Sequence, residues 1–207
     1  GWNMGDVGYS STVPVQVGTD ADWIYVTSGA WHAVGVKFDL SLWAAGDNAF
    51  GQLGDGTYVD RTMPVQVGVY GGNSTVAAGL YHSIVLKPDG TIWACGDNEF
   101  SQLGDGTNVD RNTLVQTGSD TDWAAVSAGY MHTIALKSDG TLWAWGRNDF
   151  GQLGDGTNED KNIPVQVGTD AGWAVAAAGV NHTIALKTDG TLWCDSLRLQ
   201  QQPSPHQ

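Results

Sequence analysis

The sequence predicts an all-β fold: a β-propeller array of four-stranded antiparallel blades, about four repeat units long. Three observations predict it. The string HTIALKSDGTLWAWGRNDFGQLGDG, from His132 to Gly156, returns with few changes from His82, returns as a half-copy from His182, and returns more loosely from His32. Trp43, Trp93, Trp143 and Trp193 mark one point of the repeat and Phe50, Phe100 and Phe150 another, at a constant step of 50 residues. A fixed period of this length signals propellers and solenoids. Within the period, apolar residues alternate at every second position, and no segment sustains a 3.6-residue stripe, so the elements are strands.

The elements follow in order. Residues 1–23 read as the second half of a unit, with Gly1-Trp2-Asn3 laid on Gly46-Asp47-Asn48 and Pro14 to Gly18 matching Pro64 to Gly68. Three full units follow at 24–73, 74–123 and 124–173, and 174–193 is the first half of another. In the third full unit, Val126 to Gly129 predicts a strand. Ile134 and Leu136 alternate with Thr133, Ala135 and Lys137, the pattern of a half-buried strand. Ser138-Asp139-Gly140 supplies a turn, because aspartate and glycine tolerate positive φ. Leu142 to Trp145 continues as a strand rich in aromatics. Pro164 to Val167 predicts a fourth, with proline at its start, where the missing N–H costs least. Four short strands in 50 residues make one blade. After Trp193 the pattern breaks: Cys194-Asp195-Ser196-Leu197 stands where Ala-Trp-Gly is expected, and Gln200 to Pro205 is polar and low in complexity. Residues 194–207 are expected to be a disordered tail or the product of a lost reading frame.

Composition narrows the partners. Acidic residues outnumber lysine and arginine by 22 to 9, giving a net charge of −13. Such a surface repels phosphate backbones and anionic membranes, so neither nucleic acid nor membrane is an expected partner. Lys37, Lys87, Lys137 and Lys187 recur at the period and are expected to be spread around the array. The two cysteines fall at different repeat positions, so no disulfide pair is expected. No stretch reaches transmembrane length.

Val126-Ser127-Ala128-Gly129-Tyr130-Met131-His132-Thr133-Ile134-Ala135-Leu136 resembles the repeat signature of the regulator-of-chromosome-condensation (RCC1) family. Val76 to Leu86, Ala176 to Leu186 and the more divergent Val26 to Val36 match it as well. Trp143 to Gly146, Asn148 and Gly151-Gln152-Leu153-Gly154 resemble the other half of that repeat. The resemblance covers Gly1 to Trp193 and implies a propeller. Members usually have seven blades, whereas this chain holds about four units. The family includes an exchange factor for the GTPase Ran, many adaptors and numerous bacterial proteins, and the likeness between copies points to the bacterial type.

The repeat absorbs most candidate chemistry. His32, His82, His132 and His182 fall at one position per blade, which would invite a metal. Each follows a Gly-x-x turn and is expected to bond backbone groups of its own blade, as buried polar atoms must be satisfied. With Trp43, Trp93, Trp143 and Trp193 they are assigned to structure. The oxygen-rich loops Asp55–Asp60, Asp105–Asp110 and Asp155–Asp160 lack calcium-loop spacing, and aspartate beside glycine builds turns unaided. No nucleophile or facing carboxylate pair stands out. No metal, cofactor or catalytic residue is expected.

Positions that differ between copies are more informative, because structural demands act alike on every blade. The pair before each histidine reads Ala30-Trp31, Leu80-Tyr81, Tyr130-Met131 and Val180-Asn181. Trp31, Leu80, Tyr81, Tyr130, Met131 and Asn181 are therefore candidate recognition residues on a rim. Packing between adjacent blades explains them equally well. Arg147, where Asp47 and Asp97 stand in other copies, is a second irregularity. The leading reading is a non-enzymatic interaction module for a protein or peptide. Guanine-nucleotide exchange on a small GTPase rests on family analogy alone. Carbohydrate binding is favoured only by the rim aromatics. For geometry, an open arc cut from a longer propeller ranks first. Two chains self-associating through exposed blade faces ranks second, and closure into four blades, with Pro14–Val17 pairing to the 182–193 hairpin, third.

Overall fold

In the computed structural model, which describes residues 12–71 and 74–195, the chain lays down four antiparallel sheets in succession. Blade 1 comprises β1 (Trp23–Ser28), β2 (His32–Lys37), β3 (Ser41–Gly46) and β4 (Arg61–Val69). Blade 2 comprises β5 (Thr75–Ala78), β6 (His82–Leu86), β7 (Ile92–Gly96) and β8 (Arg111–Gln116). Blade 3 holds β9 (Trp123–Ala128), β10 (His132–Lys137), β11 (Leu142–Gly146) and β12 (Lys161–Gln166). Blade 4 holds β13 (Trp173–Ala178), β14 (Thr183–Lys187) and β15 (Leu192–Cys194). In each sheet the strands pair in chain order, as tight turns and hairpin connections require.

The central hairpin is set by local chemistry. Asp139 Oδ1 accepts hydrogen bonds from the backbone N–H and the hydroxyl of Thr141, and Thr141 Oγ1 accepts from Trp143 Nε1 at 2.8 Å. The turn thus holds the first aromatic of the next strand. The arrangement recurs at Asp89-Thr91-Trp93, at Asp189-Thr191-Trp193 and, with serine, at Asp39-Ser41-Trp43.

The outermost strand departs from expectation. Pro164 lies inside β12 rather than at its start. The pairing of β11 with β12 jumps from Ala144↔Val165 to Gly146↔Lys161, so the proline falls in the irregular stretch. Pro64 holds the same place in β4. On an edge strand with a bulge, no ladder N–H is demanded there.

Three cores lie between blades. Val34, Val36, Leu42, Ala44 and Leu53 of blade 1 pack on Val76 and Val85 of blade 2. Ile84, Leu86, Ile92, Ala94 and Leu103 pack on Trp123, Ala135 and Trp145 of blade 3. Ile134, Leu136, Leu142, Ala144 and Leu153 meet Ala185 and Trp173 of blade 4. Successive side chains of a strand therefore serve opposite junctions: Ile84 looks forward along the array and Val85 looks back.

Both ends of the array are open among the described residues. Val26 of blade 1 is 67% exposed, whereas Val76, its counterpart in blade 2, is 1% exposed. Leu192 and Trp193 at the other end are exposed too. Pro14–Val17 forms no strand and does not pair with the β14–β15 hairpin, so head-to-tail closure into four blades is not adopted. Val15 and Val17 instead line a groove of about 980 Å³ on the outer face of blade 1, with Trp23, Val26 and Trp43. The array also runs past Trp193: Cys194 pairs with Ile184, and Asp195 bonds Thr183 through backbone and carboxylate. The rest of the expected tail, and Gly1-Trp2-Asn3, lie outside the described residues.

Candidate functional site

The turn between the first two strands of a blade and the long loop after the third emerge at the same end of the sheet. Backbone bonds join them: Asp47 N donates to Trp31 O, Asp97 N to Tyr81 O and Arg147 N to Met131 O, at 2.8–2.9 Å. The copy-specific residues and the acidic loops therefore share one face.

A buried asparagine organises each loop. Asn48 Oδ1 accepts from Leu53 N, and its amide donates to Asp55 Oδ1, Thr57 O and Val59 O. Arg61 pairs with Asp55 at 2.7 Å. Burial alone would raise the Asp55 carboxyl, but hydrogen bonds from Thr57 and Arg61 hold it below the usual range. Asn98 and Asn148 repeat the arrangement with Asp105 and Asp155. The carboxylates that resembled cation ligands are thus bound to donors of their own loop. Among the described residues no group of three or more histidines, cysteines or acids is set to hold a metal.

The histidines act across blades rather than within them, contrary to expectation. Ser83 Oγ of blade 2 donates to the Gln52 carbonyl of blade 1 at 2.7 Å, and His32 Nε2 lies 2.8 Å from the same oxygen. The hydroxyl proton is committed to a carbonyl that can only accept, so the imidazole must be the donor, protonated on Nε2, and burial keeps the ring neutral. His82–Thr133–Gln102 and His132–Thr183–Gln152 repeat this latch at the next two junctions. Burial lowers the pKa of His32 and His132 to about 4 and that of His82 to about 3. The glycine three residues earlier gives the ring its room: a Cβ on Gly79 would collide with the His82 imidazole and the Gly129 carbonyl.

The lysines lie between tryptophans. Lys137 Nζ sits 4.9 Å from the Trp123 ring and 4.5 Å from the Trp143 ring, and pairs with Asp120 at 2.6 Å. Lys37 and Lys187 repeat this with Trp23 and Trp43, and with Trp173 and Trp193. Lys87 lies over Tyr70 and Trp93. Burial would lower the Lys137 ammonium, but Asp120 and Asp122 hold it above its ordinary value. Lys87 pairs with no such acids among the described residues, and burial lowers it against the pull of Asp89.

The candidate rim residues divide. Tyr130 is 38% exposed on the loop face. Leu80 is 7% exposed and offers a ligand no surface, because its N–H is drawn onto Tyr130 O at the next junction. Tyr81 is half-buried and stacks on Phe50 of the preceding blade, with centroids 4.8 Å apart. Trp31 is half-buried and lines the outer groove of blade 1. Met131 and Asn181 are half-buried, with Met131 Sδ 3.9 Å from Arg147 Nη1. Arg147 is not mere drift: its guanidinium lies 4.7 Å from Phe100 and 5.6 Å from Phe150 and pairs with Asp149 at 2.6 Å.

Comparison with known proteins now assigns the family. The model of the regulator of chromosome condensation (RCC1) repeat matches residues 41–86, 89–136 and 139–186, more than half of the chain. The chain belongs to the RCC1 repeat family. A second model of that repeat matches residues 74–102 and 123–152. No curated protein matches in sequence. Among solved structures, human WBSCR16 is similar at 22% identity and a TM-score of 0.75, covering 83% of this chain and 46% of that one. Prp20p from Saccharomyces cerevisiae, described with its binding properties to Gsp1p and histones, is similar at 22% identity and a TM-score of 0.71, covering 79% and 43%. Yeast RCC1 (Prp20) with Kap60 bound is similar at 21% identity and a TM-score of 0.74, covering 86% and 45%. The chain spans less than half the length of each, and the likeness is one of fold.

Each RCC1 match starts at the third strand of one blade, or in the turn just before it, and ends in the second strand of the next. The sequence unit thus straddles the junction at which histidine, hydroxyl and glutamine carbonyl meet. The lysine–tryptophan stacks were not anticipated from sequence. Their signal was present in the Asp-x-Asp-Trp of 20–23 and 120–123, each followed at a constant interval by lysine and then tryptophan.

Proposed function

We propose that this RCC1 array is a non-enzymatic interaction module that binds a protein or peptide through the loop face. The observation that carries the reading is Tyr130, a large aromatic that differs from its counterparts in the other blades and lies exposed on that face. The repeat does not require it, since Ala30, Leu80 and Val180 serve at the same position. Trp31 and Met131 stand beside it in sequence position and reach the surface in part. The matched family is a repeat module rather than a catalytic family. Two similar structures carry protein-binding descriptions, Prp20p with Gsp1p and histones and yeast RCC1 with Kap60, which supports a protein partner. Nucleotide exchange finds less support: the spans Gly46–Arg61, Gly96–Arg111 and Gly146–Lys161 are equal in length, so none of these loops carries an insertion. The test is affinity capture with the wild-type chain and with Trp31→Ala/Tyr130→Ala, beside a glycan array. A protein retained by the first and lost by the second, at unchanged melting temperature, supports the reading. Capture that ignores both substitutions, or saturable glycan binding, overturns it.

A further inference from the structure

Of the five lysines in the sequence, four sit against carboxylates. Lys37 pairs with Asp20 and Asp22, Lys137 with Asp120 and Asp122, and Lys187 with Asp170, while Lys161 has Asp155 and Glu159 at 3.5 Å. Lys87 forms no ion pair among the described residues. Tyr70 occupies the repeat position of Asp20, Asp120 and Asp170, so in blade 2 a ring replaces the acid. Pro88 makes a second, matching change. Phe38 N donates to Asp22 O, Ser138 N to Asp122 O and Thr188 N to Gly172 O, a bond that ties the preceding segment to the hairpin turn. Pro88 stands at that position and has no N–H to donate. Blade 2 therefore lacks both the paired acid and the bond that would hold its segment beside the lysine.

We propose that Lys87 is an acylation site, the lysine of this chain that an acyl thioester modifies first. Its Nζ lies 3.6 Å from the Trp93 ring and 4.7 Å from the Tyr70 ring. Tyr70 is held in place: it packs on the core between blades 1 and 2, and a Cβ on Gly68 would come within 2.7–2.9 Å of its ring and hydroxyl. Rings flank Lys37, Lys137 and Lys187 as well, so their attraction for an ammonium does not separate the four. Access does not separate them either, since Lys87, Lys137 and Lys187 are all half-buried. The carboxylates do. An acid partner favours the charged amine, which has no lone pair for attack. Burial lowers the Lys87 ammonium against Asp89; burial acts on Lys137 too, but there Asp120 and Asp122 outweigh it. In the reaction the neutral Nζ attacks the thioester carbonyl carbon. The C–N bond forms, the C–S bond breaks, and the thiolate leaves and takes up the proton that the nitrogen sheds. The product is a neutral amide that keeps its methylenes against the rings and strands no paired carboxylate. β6 runs from His82 at the loop face to Leu86, so Lys87 lies at the opposite end of the blade, and the site is independent of the interaction reading.

The test treats the folded chain at pH 8 with S-acetyl-N-acetylcysteamine, a small uncharged thioester, and reads acetylation at each lysine by peptide mass spectrometry. Each rate is divided by that of the same lysine in urea, which removes the effect of local sequence. Lys87 should lead the other four by about fivefold, the scale of one or two part-exposed ion pairs. Tyr70→Asp restores the acid of the repeat and should bring Lys87 down to the rate of Lys137. Asp120→Asn/Asp122→Asn should raise Lys137 toward Lys87. Both of those acids are exposed, so this variant should keep the wild-type melting temperature and decides the matter even where Tyr70→Asp does not fold. Equal normalised rates at the five lysines, a faster Lys161, or a Lys137 rate unmoved by the loss of its acids overturns the proposal.

Discussion

His32 Nε2 lies 2.8 Å from Ser83 Oγ, a contact between side chains on successive blades. The serine hydroxyl donates its own hydrogen bond to the Gln52 carbonyl, so one hydroxyl joins an imidazole and a loop of blade 1 to a strand of blade 2. Replacing Thr133, the counterpart at the next junction, by valine keeps the shape and removes the link, leaving a buried N–H and a buried carbonyl without their partner. Thr133→Val is expected to cost about 1–3 kcal/mol, and Thr133→Ser much less. Urea denaturation should show a lower midpoint at unchanged slope. A neutral Thr133→Val would mean that the contact contributes nothing.

The same histidines set an acid limit. Their folded pKa values, about 4, 3 and 4, lie below the ordinary 6.5 of an exposed imidazole. Between those limits the unfolded chain binds protons that the folded chain refuses, so stability must fall as pH drops. The loss begins near pH 6.5, grows by about 1.4 kcal/mol per pH unit for each histidine, and levels off below the folded values. Denaturant melts at pH 7.5, 6 and 5 should show it. His82→Gln, less stable at neutral pH, should show a shallower slope, and an unchanged slope would contradict the burial of His82.

The two cysteines should differ sharply. Cys95 is buried between blades, and burial pushes its thiol up to about 12. Cys194 lies at the exposed end of β15. A thiolate-selective reagent at pH 8 should therefore modify one thiol per folded chain and two in denaturant. Rapid modification of both in the folded chain would place Cys95 at the surface.

The period of 50 made the blades readable because each strand carries its own turn chemistry, as Asp139, Thr141 and Trp143 show. Contacts between blades were less readable. Sequence placed the bonds of His132 within its own blade, whereas its partner is Thr183, 51 positions away; such pairings depend on how sheets stack. Leu80 looked like a rim residue because it differs from Tyr130, yet burial at the junction governs it. Arg147 was visible as an irregularity, but its meaning needed the positions of Phe100 and Asp149 in space.

Tyr81 and Tyr130 separate packing from recognition. Tyr81 stacks across a junction, so Tyr81→Ala should cost about 2 kcal/mol or more, toward the lower end for truncated aromatics because it is only half-buried. Tyr130→Ala should stay within about 0.5 kcal/mol, as surface changes do. Equal costs in chemical denaturation would remove the ground for treating Tyr130 as a contact residue.

The two end faces that are open among the described residues are expected to pair between copies of this chain taken by itself. The outer face of blade 1 carries Val26 and Gly35, the positions that blades 2 to 4 turn toward the preceding blade, and Trp23, whose counterparts Trp123 and Trp173 do so in blades 3 and 4. The outer face of blade 4 carries Ile184, Leu186 and Leu192, the positions that blades 1 to 3 turn toward the next. A second copy can therefore dock head to tail in the geometry of the internal junctions, a heterologous contact that yields a ring if the rotation closes and a chain if it does not. The contact should be weaker than an internal one, because Ala33 stands where Ser83, Thr133 and Thr183 supply the latching hydroxyl. Sedimentation velocity of the chain is expected to show reversible association in the micromolar range. Val26→Asp and Leu192→Asp, at sites already 67% and 69% exposed, should each abolish it without lowering the melting temperature. Ala33→Ser should strengthen it only if an acceptor in the second copy takes the place of Gln52. A monomer at every concentration would show that Val15, Val17 and their neighbours cover the blade 1 face well enough to exclude a second copy.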